Sequence, residues 1–435
     1  MKYRQSIPTA FLLLPWILSQ CMPLAAKEVP VHRRASSRLN ISISELGAVG
    51  NGETINTRAI QTTIDGIAAK GGGTVIIPEG VFVSGGLFLK PGVNLHLERG
   101  AVLRCSTDMT NFPEQRTRIE GHIEESFNPA LVNADGCDGL VISGEGVLDG
   151  AGRPLWEEFW KRRKAERKFK NLDLPRARLC LIENSKNVTV HGVTFKDSQF
   201  WNLHIYNCVN VHVEGARFEV PDDYKQAPSS DGIDVDSCQK VVIRDCHFSV
   251  TDDCIALKGS KGPFALKDKA SPPVEDIRIS SCVFKRGHHA VACGSEATII
   301  RDVLIENCVI KGAMPLYRAK LRPDTPQCFE NIAFRDIVFE DSGAWIFEMA
   351  PWAQYFDLNG QAPPASTVKN ITVSGIKGTI KSLGNIRGHE TATISDITVE
   401  NVDVQATSAK FNVDDRVERL QIDNVKLNGK DFHLR

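Results

Sequence analysis

The sequence lacks a charge excess of either sign: 52 Lys and Arg face 53 Asp and Glu, a net of −1 over 435 residues. A chain so balanced has no global attraction for nucleic acid or an anionic membrane surface. Any affinity for a charged substrate must come from a local cluster. Past its first residues the chain also lacks an apolar run long enough to cross a bilayer. It has no paired C-x-x-C spacing among its twelve cysteines, and at this length it is too large for the disulfide framework of small exported domains.

What is present begins at the N-terminus. Lys2 and Arg4 precede an apolar stretch from Ala10 to Leu18, followed by small residues at Ala25 and Ala26. This reads as a signal peptide over 1–26, the apolar stretch being too short to span a membrane. The chain is therefore expected outside the cytoplasm, in a periplasm or the extracellular space. Cys21 raises the question of lipidation, and Gln20 directly before it argues against that. With 42% hydrophobic residues the remainder can bury a large core.

One pattern returns from Asn187 onward. Its starts are Asn187, Asn210, Lys240, Asp276, Asp302, Asn331, Asn370 and Asp396. One and three residues after each stand two apolar, mostly β-branched residues, such as Val188 and Val190 or Val241 and Ile243. That alternation predicts a strand with one buried face. Five residues after each start comes a turn former: Gly192, Gly215, Asp245, Ser281, Asn307, Asp336, Gly375 or Asn401. Glycine, and less freely Asn and Asp, tolerate positive φ. A small or medium apolar residue follows, and two further on a ladder of Phe195, Phe218, Phe248, Phe284, Ile310 and Phe339, which Gly378 breaks and Val404 resumes.

Each repeat is thus strand, bend, strand, with variable loops between. Matching columns of side chains at this spacing predict the stacked coils of a β-solenoid. Leucine-rich and ankyrin arrays keep stricter periods, and a propeller needs longer units. The column of Cys246, Cys282 and Cys308 reads as small apolar filler. Upstream the alternation is looser. Before it, Asn56 is placed to cap a helix carrying Ala59, Ile60, Ile64, Ile67 and Ala68 and ending at Gly71-Gly-Gly73, which would cover the first coil. One domain is expected from residue 38 to 435. The basic stretch from Lys161 to Lys170, after Trp156, Phe159 and Trp160, reads as a solvated helical insertion.

Polar residues that interrupt a strand pattern are candidates for chemistry. Four successive coils carry Ser229-Ser-Asp-Gly-Ile-Asp-Val-Asp236, Thr251-Asp-Asp-Cys-Ile-Ala-Leu-Lys258, Gly287-His-His-Ala-Val-Ala-Cys-Gly294 and Leu316-Tyr-Arg-Ala-Lys320. Asp252 and His288 each lie twelve residues after their start, so they should be neighbours on adjacent coils, about 4.8 Å apart. Aligning Ile233 with Ile255 and Val291 puts Asp231, Asp253 and His289 in the adjoining column. Crowded carboxylates cannot all ionise easily, and at least one should keep its proton near neutrality. Such division between acid and base is what glycoside hydrolysis requires. Arg318 and Lys320 are candidates to hold an acidic sugar's carboxylate, and Lys258 and His289 complete the expected binding set. The bland reading of these residues is a row of polar coil edges.

At these motifs the chain resembles the polygalacturonase family of glycoside hydrolases. Leu46-Gly-Ala-Val-Gly-Asn-Gly-Glu53, Gly71-Gly-Gly-Thr-Val-Ile-Ile-Pro78 and Gly144-Glu-Gly-Val-Leu-Asp-Gly150 resemble the family's opening. Its four site motifs, Asn-Thr-Asp, Asp-Asp, Gly-His-Gly and Arg-Ile-Lys, are similar to Ser229-Ser230-Asp231, Asp252-Asp253, Gly287-His288-His289 and Arg318-Ala319-Lys320. The resemblance implies an all-β, right-handed parallel β-helix and an inverting hydrolysis of galacturonosyl linkages in pectic polysaccharide. It also implies Asp252 as general acid, Asp231 with Asp253 activating water, His288 supporting the acid, and Arg318 and Lys320 gripping a carboxylate.

The departures are Ser229 and Ser230 for Asn-Thr, Ala319 for Ile, and His289 for Gly. They turn the expectation from plain endo cleavage toward a substituted or rhamnose-containing pectin, or toward release of terminal galacturonate. Insertions at 221–228 and 259–273 are expected to wall one end of a groove. No cofactor, metal or nucleic acid is implied, and a capped solenoid has no evident need of a partner, so a monomer is expected. Two other readings stay open: a pectin-binding solenoid without catalysis, and a pectate lyase using calcium with an Arg or Lys base. Trp201, Trp352 and Tyr355 are candidate groove aromatics, while His96, His204, His212 and His247 read as structural.

Overall fold

The computed structural model describes residues 39–341 and 343–434; the signal segment and Cys21 lie outside them. Alternating buried and part-exposed residues build three columns of parallel strands. The first column holds the strands that open each repeat, among them Lys186–His191, Val209–Glu214 and Gln239–Arg244. Its counterparts pair in register coil upon coil, Val188 to Val211, Val241, Ile277, Val303, Ile332, Ile371 and Ile397. The second column carries the ladder. Rings of Phe195, Phe218, Phe248 and Phe284 stack at centroid spacings of 4.9, 5.0 and 5.2 Å.

Two strands per coil were legible in the pattern; the structure has three. The third column includes Leu203–Tyr206, Ile233–Asp236, Ile255–Lys258, Val291–Cys293, Pro315–Leu321 and Trp345–Pro351. The coils close into a parallel β-helix, with the right-handed crossover that parallel connections take. Its interior is one continuous apolar core.

The bends explain the repeat. All eight starts sit in the left-handed region at φ of 56 to 61°, and all eight residues five positions on do so at 53 to 76°. Asparagines in these positions also link coils: Asn210 Nδ2 donates to Asn187 Oδ1 at 2.6 Å and Asn370 Nδ2 to Asn331 Oδ1 at 3.0 Å. Where the ladder breaks, Gly378 has φ of 107°, and a Cβ there would fall inside the carbonyl of Phe339. All eleven described cysteines are free and ten are buried, as the filler reading expects.

Helix α1, Thr57–Ala69, buries Ile60, Thr63, Ile64 and Ile67 on the first coil. Asn56 occupies the cap position without a capping hydrogen bond. Its side chain instead ties the preceding loop, accepting from Val49 N at 2.7 Å and donating to Thr54 O. The edge strand Leu87–Leu89 is satisfied from α1: Gln61 donates to Phe88 O and accepts from Phe88 N, at 3.0 and 2.9 Å. The basic insertion is helix α2, Arg153–Ala165, anchored by buried Trp156, whose indole donates to Ser198 O. Among the described residues no helix is long and apolar enough to cross a membrane.

Candidate active site

The third column carries the polar interruptions. Asp231 lies two residues before Ile233–Asp236, Asp252 and Asp253 just before Ile255–Lys258, and His288 and His289 just before Val291–Cys293; Arg318 and Lys320 are inside Pro315–Leu321. Ile233 pairs with Ile255 and Ile255 with Val291. Parallel register therefore delivers every motif to one patch. Ser230 Oγ lies 3.0 Å from Thr251 Oγ1 and accepts from Thr251 N, which fixes the turn of Asp231 against that of Asp252.

The patch opens into a cleft of about 400 Å³. Asp231, Asp252, Lys258, His288, His289 and Lys320 line it, with Trp201, Trp352 and Tyr355. Helix α2 adds Phe159, Trp160 and Arg163, and the 221–228 insertion adds Gln226, Ala227 and Pro228. The Trp160 indole donates to Gln226 O at 2.6 Å, so the two insertions make one wall. The 259–273 insertion does not line the cleft; its Ser260 and Asp268 hold Arg118 of the 115–127 hairpin instead. Asp253 and Arg318 are absent from the lining as well. Both sit beneath the floor, 0% and 3% exposed.

His288 Nδ1 lies 3.1 Å from Asp252 Oδ1, as the repeat count expects. That hydrogen bond and the charge of Asp252 push the imidazole up to about 9. Burial opposes ionisation of Asp252, but the bond and charge of His288 outweigh it and hold the carboxyl below its usual range. Burial opposes Asp253 too, yet Lys320 Nζ at 2.6 Å and His289 Nδ1 at 2.5 Å hold it well below that range. Asp231 goes the other way. Burial, then the charges of Asp252 and Asp234, hold it well above the ordinary value. Burial also raises Asp234, to about 7, against the pull of Lys258. Lys258 Nζ lies 3.5 Å from Asp231, 3.4 Å from Asp234 and 3.6 Å from Glu296. Burial thus favours the protonated form of Asp231, while the bond and charge of His288 favour the ionised form of Asp252.

Arg318 corrects a further expectation. Its Nη1 donates to Glu348 Oε1 at 3.0 Å and to Glu348 O at 3.1 Å, under the Trp352 ring. Of the two cations expected to hold a sugar carboxylate, only Lys320 lines the cleft here. Asp252, Asp253 and His288 offer ligand atoms within 4.8 Å of one another. Both oxygens of Asp253 are already taken by Lys320 and His289, so a divalent cation would have to displace an ammonium. That donor set does not fit the calcium-dependent lyase reading.

Four carboxyls escaped the sequence reading. Asp234 and Glu348 lie in the Arg318 column, which pairs Asp234 with Ala256, Ala292, Arg318 and Glu348; carrying that register on would have found both. Glu296 lies just past the third motif. Glu120, held up by burial and by Glu296, comes from the turn of the 115–127 hairpin, outside any repeat.

The coil register and the acid cluster define a polysaccharide-active β-helix, and comparison agrees. The family model for glycosyl hydrolases family 28 matches residues 96–429, and the chain belongs to that family. It is therefore a glycoside hydrolase. It is 25% identical to an exopolygalacturonase of Zea mays over 352 residues, 78% of this chain and 77% of that one. It is 26% identical to the exo-poly-alpha-D-galacturonosidase of Dickeya chrysanthemi over 78% of this chain and 62% of that one. A hyperthermoactive exopolygalacturonase of Thermotoga maritima superposes at a TM-score of 0.74, with 24% identity, 90% of this chain and 92% of that one.

Proposed function

We propose that this glycoside hydrolase cleaves α-galacturonosyl linkages in pectic polysaccharide with inversion, Asp252 acting as the acid and Asp231 with Asp253 on the water side. The carrying observation is the His288–Asp252 pair, 3.1 Å apart at the cleft surface, beside an Asp253 carboxylate held by Lys320 and His289. Asp252 passes the proton to the leaving oxygen, and His288 resupplies it. A water on the opposite face attacks the anomeric carbon and gives its proton to Asp231 in its ionised form, while buried Asp253 holds Lys320 in place. The wall of α2 and the 221–228 insertion favours attack at a chain end. The exopolygalacturonase relatives support that choice.

One observation favours a second assignment, with Asp231 as acid: it is buried beside the charges of Asp252 and Asp234, which favours its protonated form. Substrates with a leaving group that needs no protonation separate the two. They should restore kcat to Asp252→Asn and leave Asp231→Asn inactive; the reverse pattern would transfer the acid's role to Asp231. The N-terminal Lys2, Arg4 and Ala10–Leu18 pattern supports export, and fractionation of expressing cells with sequencing of the mature N-terminus tests it. In this reading the enzyme works as a monomer on an acidic pectic chain. Sedimentation of the purified protein checks the monomer.

A further inference from the structure

A saccharide lying along the β-helix axis crosses the coils in order, from Asp231 past Asp252 and His288 to Lys320 and Trp352. If Asp252 and His288 supply the proton to the leaving oxygen, the leaving sugar sits on their C-terminal side, against Lys320 and Trp352. That inference rests on the reading above.

On this side Arg318 and Lys320 each already have a carboxylate of their own. Arg318 is paired in register with Glu348 of the next coil, and its guanidinium donates to the Glu348 side chain at 3.0 Å. Lys320 is neutralised by Asp253 at 2.6 Å. The Trp352 ring lies 5.6 Å from the Arg318 guanidinium and 5.1 Å from the Lys320 ammonium. Glu348 is 28% exposed and its other oxygen lies 3.9 Å from His289 Nε2. An ionised sugar carboxylate arriving at Arg318 meets the like charge of Glu348 already bonded there, and like charges brought together disfavour binding. A flat apolar sugar face meets Trp352 at no such cost.

We propose that Glu348 is a specificity-determining residue: it occupies the carboxylate berth of Arg318, so the leaving residue is an uncharged sugar. Two chemistries meet that description, a neutral sugar such as rhamnose and an esterified galacturonate.

The test uses the full chain and three oligosaccharides with the same galacturonosyl residue before the scissile bond. The leaving residue is free galacturonate, its methyl ester, or rhamnose. Wild type should show a kcat/KM at least about tenfold higher on one or both uncharged forms, the better of the two naming the sugar. Glu348→Gln keeps the shape, frees the Arg318 charge, and should reverse that preference mainly through a lower KM for the ionised form. Equal or better cleavage of free galacturonate by wild type would overturn the proposal, even if the variant failed to fold. A Glu348→Gln that loses activity on all three alike, through kcat, would overturn it too. No hydrolysis of any of the three would sink the functional reading, and this inference with it.

Discussion

The decisive chemistry at the residue scale is where one proton sits. Asp252 alone, as an ordinary carboxyl, would be unprotonated at neutral pH. His288 keeps a proton at hand up to about 9. The alkaline limb of the pH–rate profile should therefore lie near 9 in the wild type and fall by about two or more pH units in His288→Asn; an unmoved limb would remove His288 from the proton path. The same shift links to stability. Because the folded value lies above the unfolded one, ~6.5, the stabilisation is complete below that pH and lost as pH rises through about 9. Urea melts of wild type and His288→Ala should differ at pH 6 and converge above 9. The motif residues were legible because counting from each repeat start fixes both coil and column. The upward push on Asp231 was not, since it depends on how deeply that residue is buried and on Asp252 and Asp234 beside it. Nor was the sequestering of Arg318, because Glu348 lies a full coil away.

At the scale of the element, each coil is closed by two left-handed residues, and fifteen of the sixteen positions are Gly, Asn, Asp or Ser. Lys240 is the exception, at φ of 56°, where an ordinary side chain is strained. Its column neighbours are Asn210 and Asp276. Lys240→Asn should stabilise the protein by about 1 kcal/mol in chemical denaturation; a loss of stability would mean that Lys240 makes a contact worth more than the strain. The stacked rings predict the opposite sign in the core: Phe218→Ala should cost about 3–5 kcal/mol. At the covered end, Gln61→Ala strips both bonds from Phe88 and should cost about 1–2 kcal/mol by the same measurement. These columns were readable because core faces repeat on coil after coil, broken in the ladder only at Gly378. The third strand was missed because its residues alternate apolar with functional polar groups, so it reads as interruption rather than as strand.

Over the whole molecule, a rigid stack of coils presents an acid cluster whose spacing is set by strand pairing, and two insertions wall it. Nothing in the local sequence from Arg153 to Ala165 says that this helix faces the cleft; only its docking through Trp156 and Trp160 does. Trp160→Ala should loosen the wall and lengthen the range of products from a defined oligosaccharide, read by chromatography. An unchanged product range would mean that the wall does not set the mode of attack. The central claim is hydrolysis driven by Asp252, and the most direct test is reducing-end release from galacturonate and rhamnogalacturonan oligosaccharides by wild type beside Asp252→Asn. We expect release by the wild type on one or both substrates, falling about 10²–10⁴-fold in a variant that still folds. Undiminished release by Asp252→Asn, or bound but intact oligosaccharides with the wild type, would contradict the account.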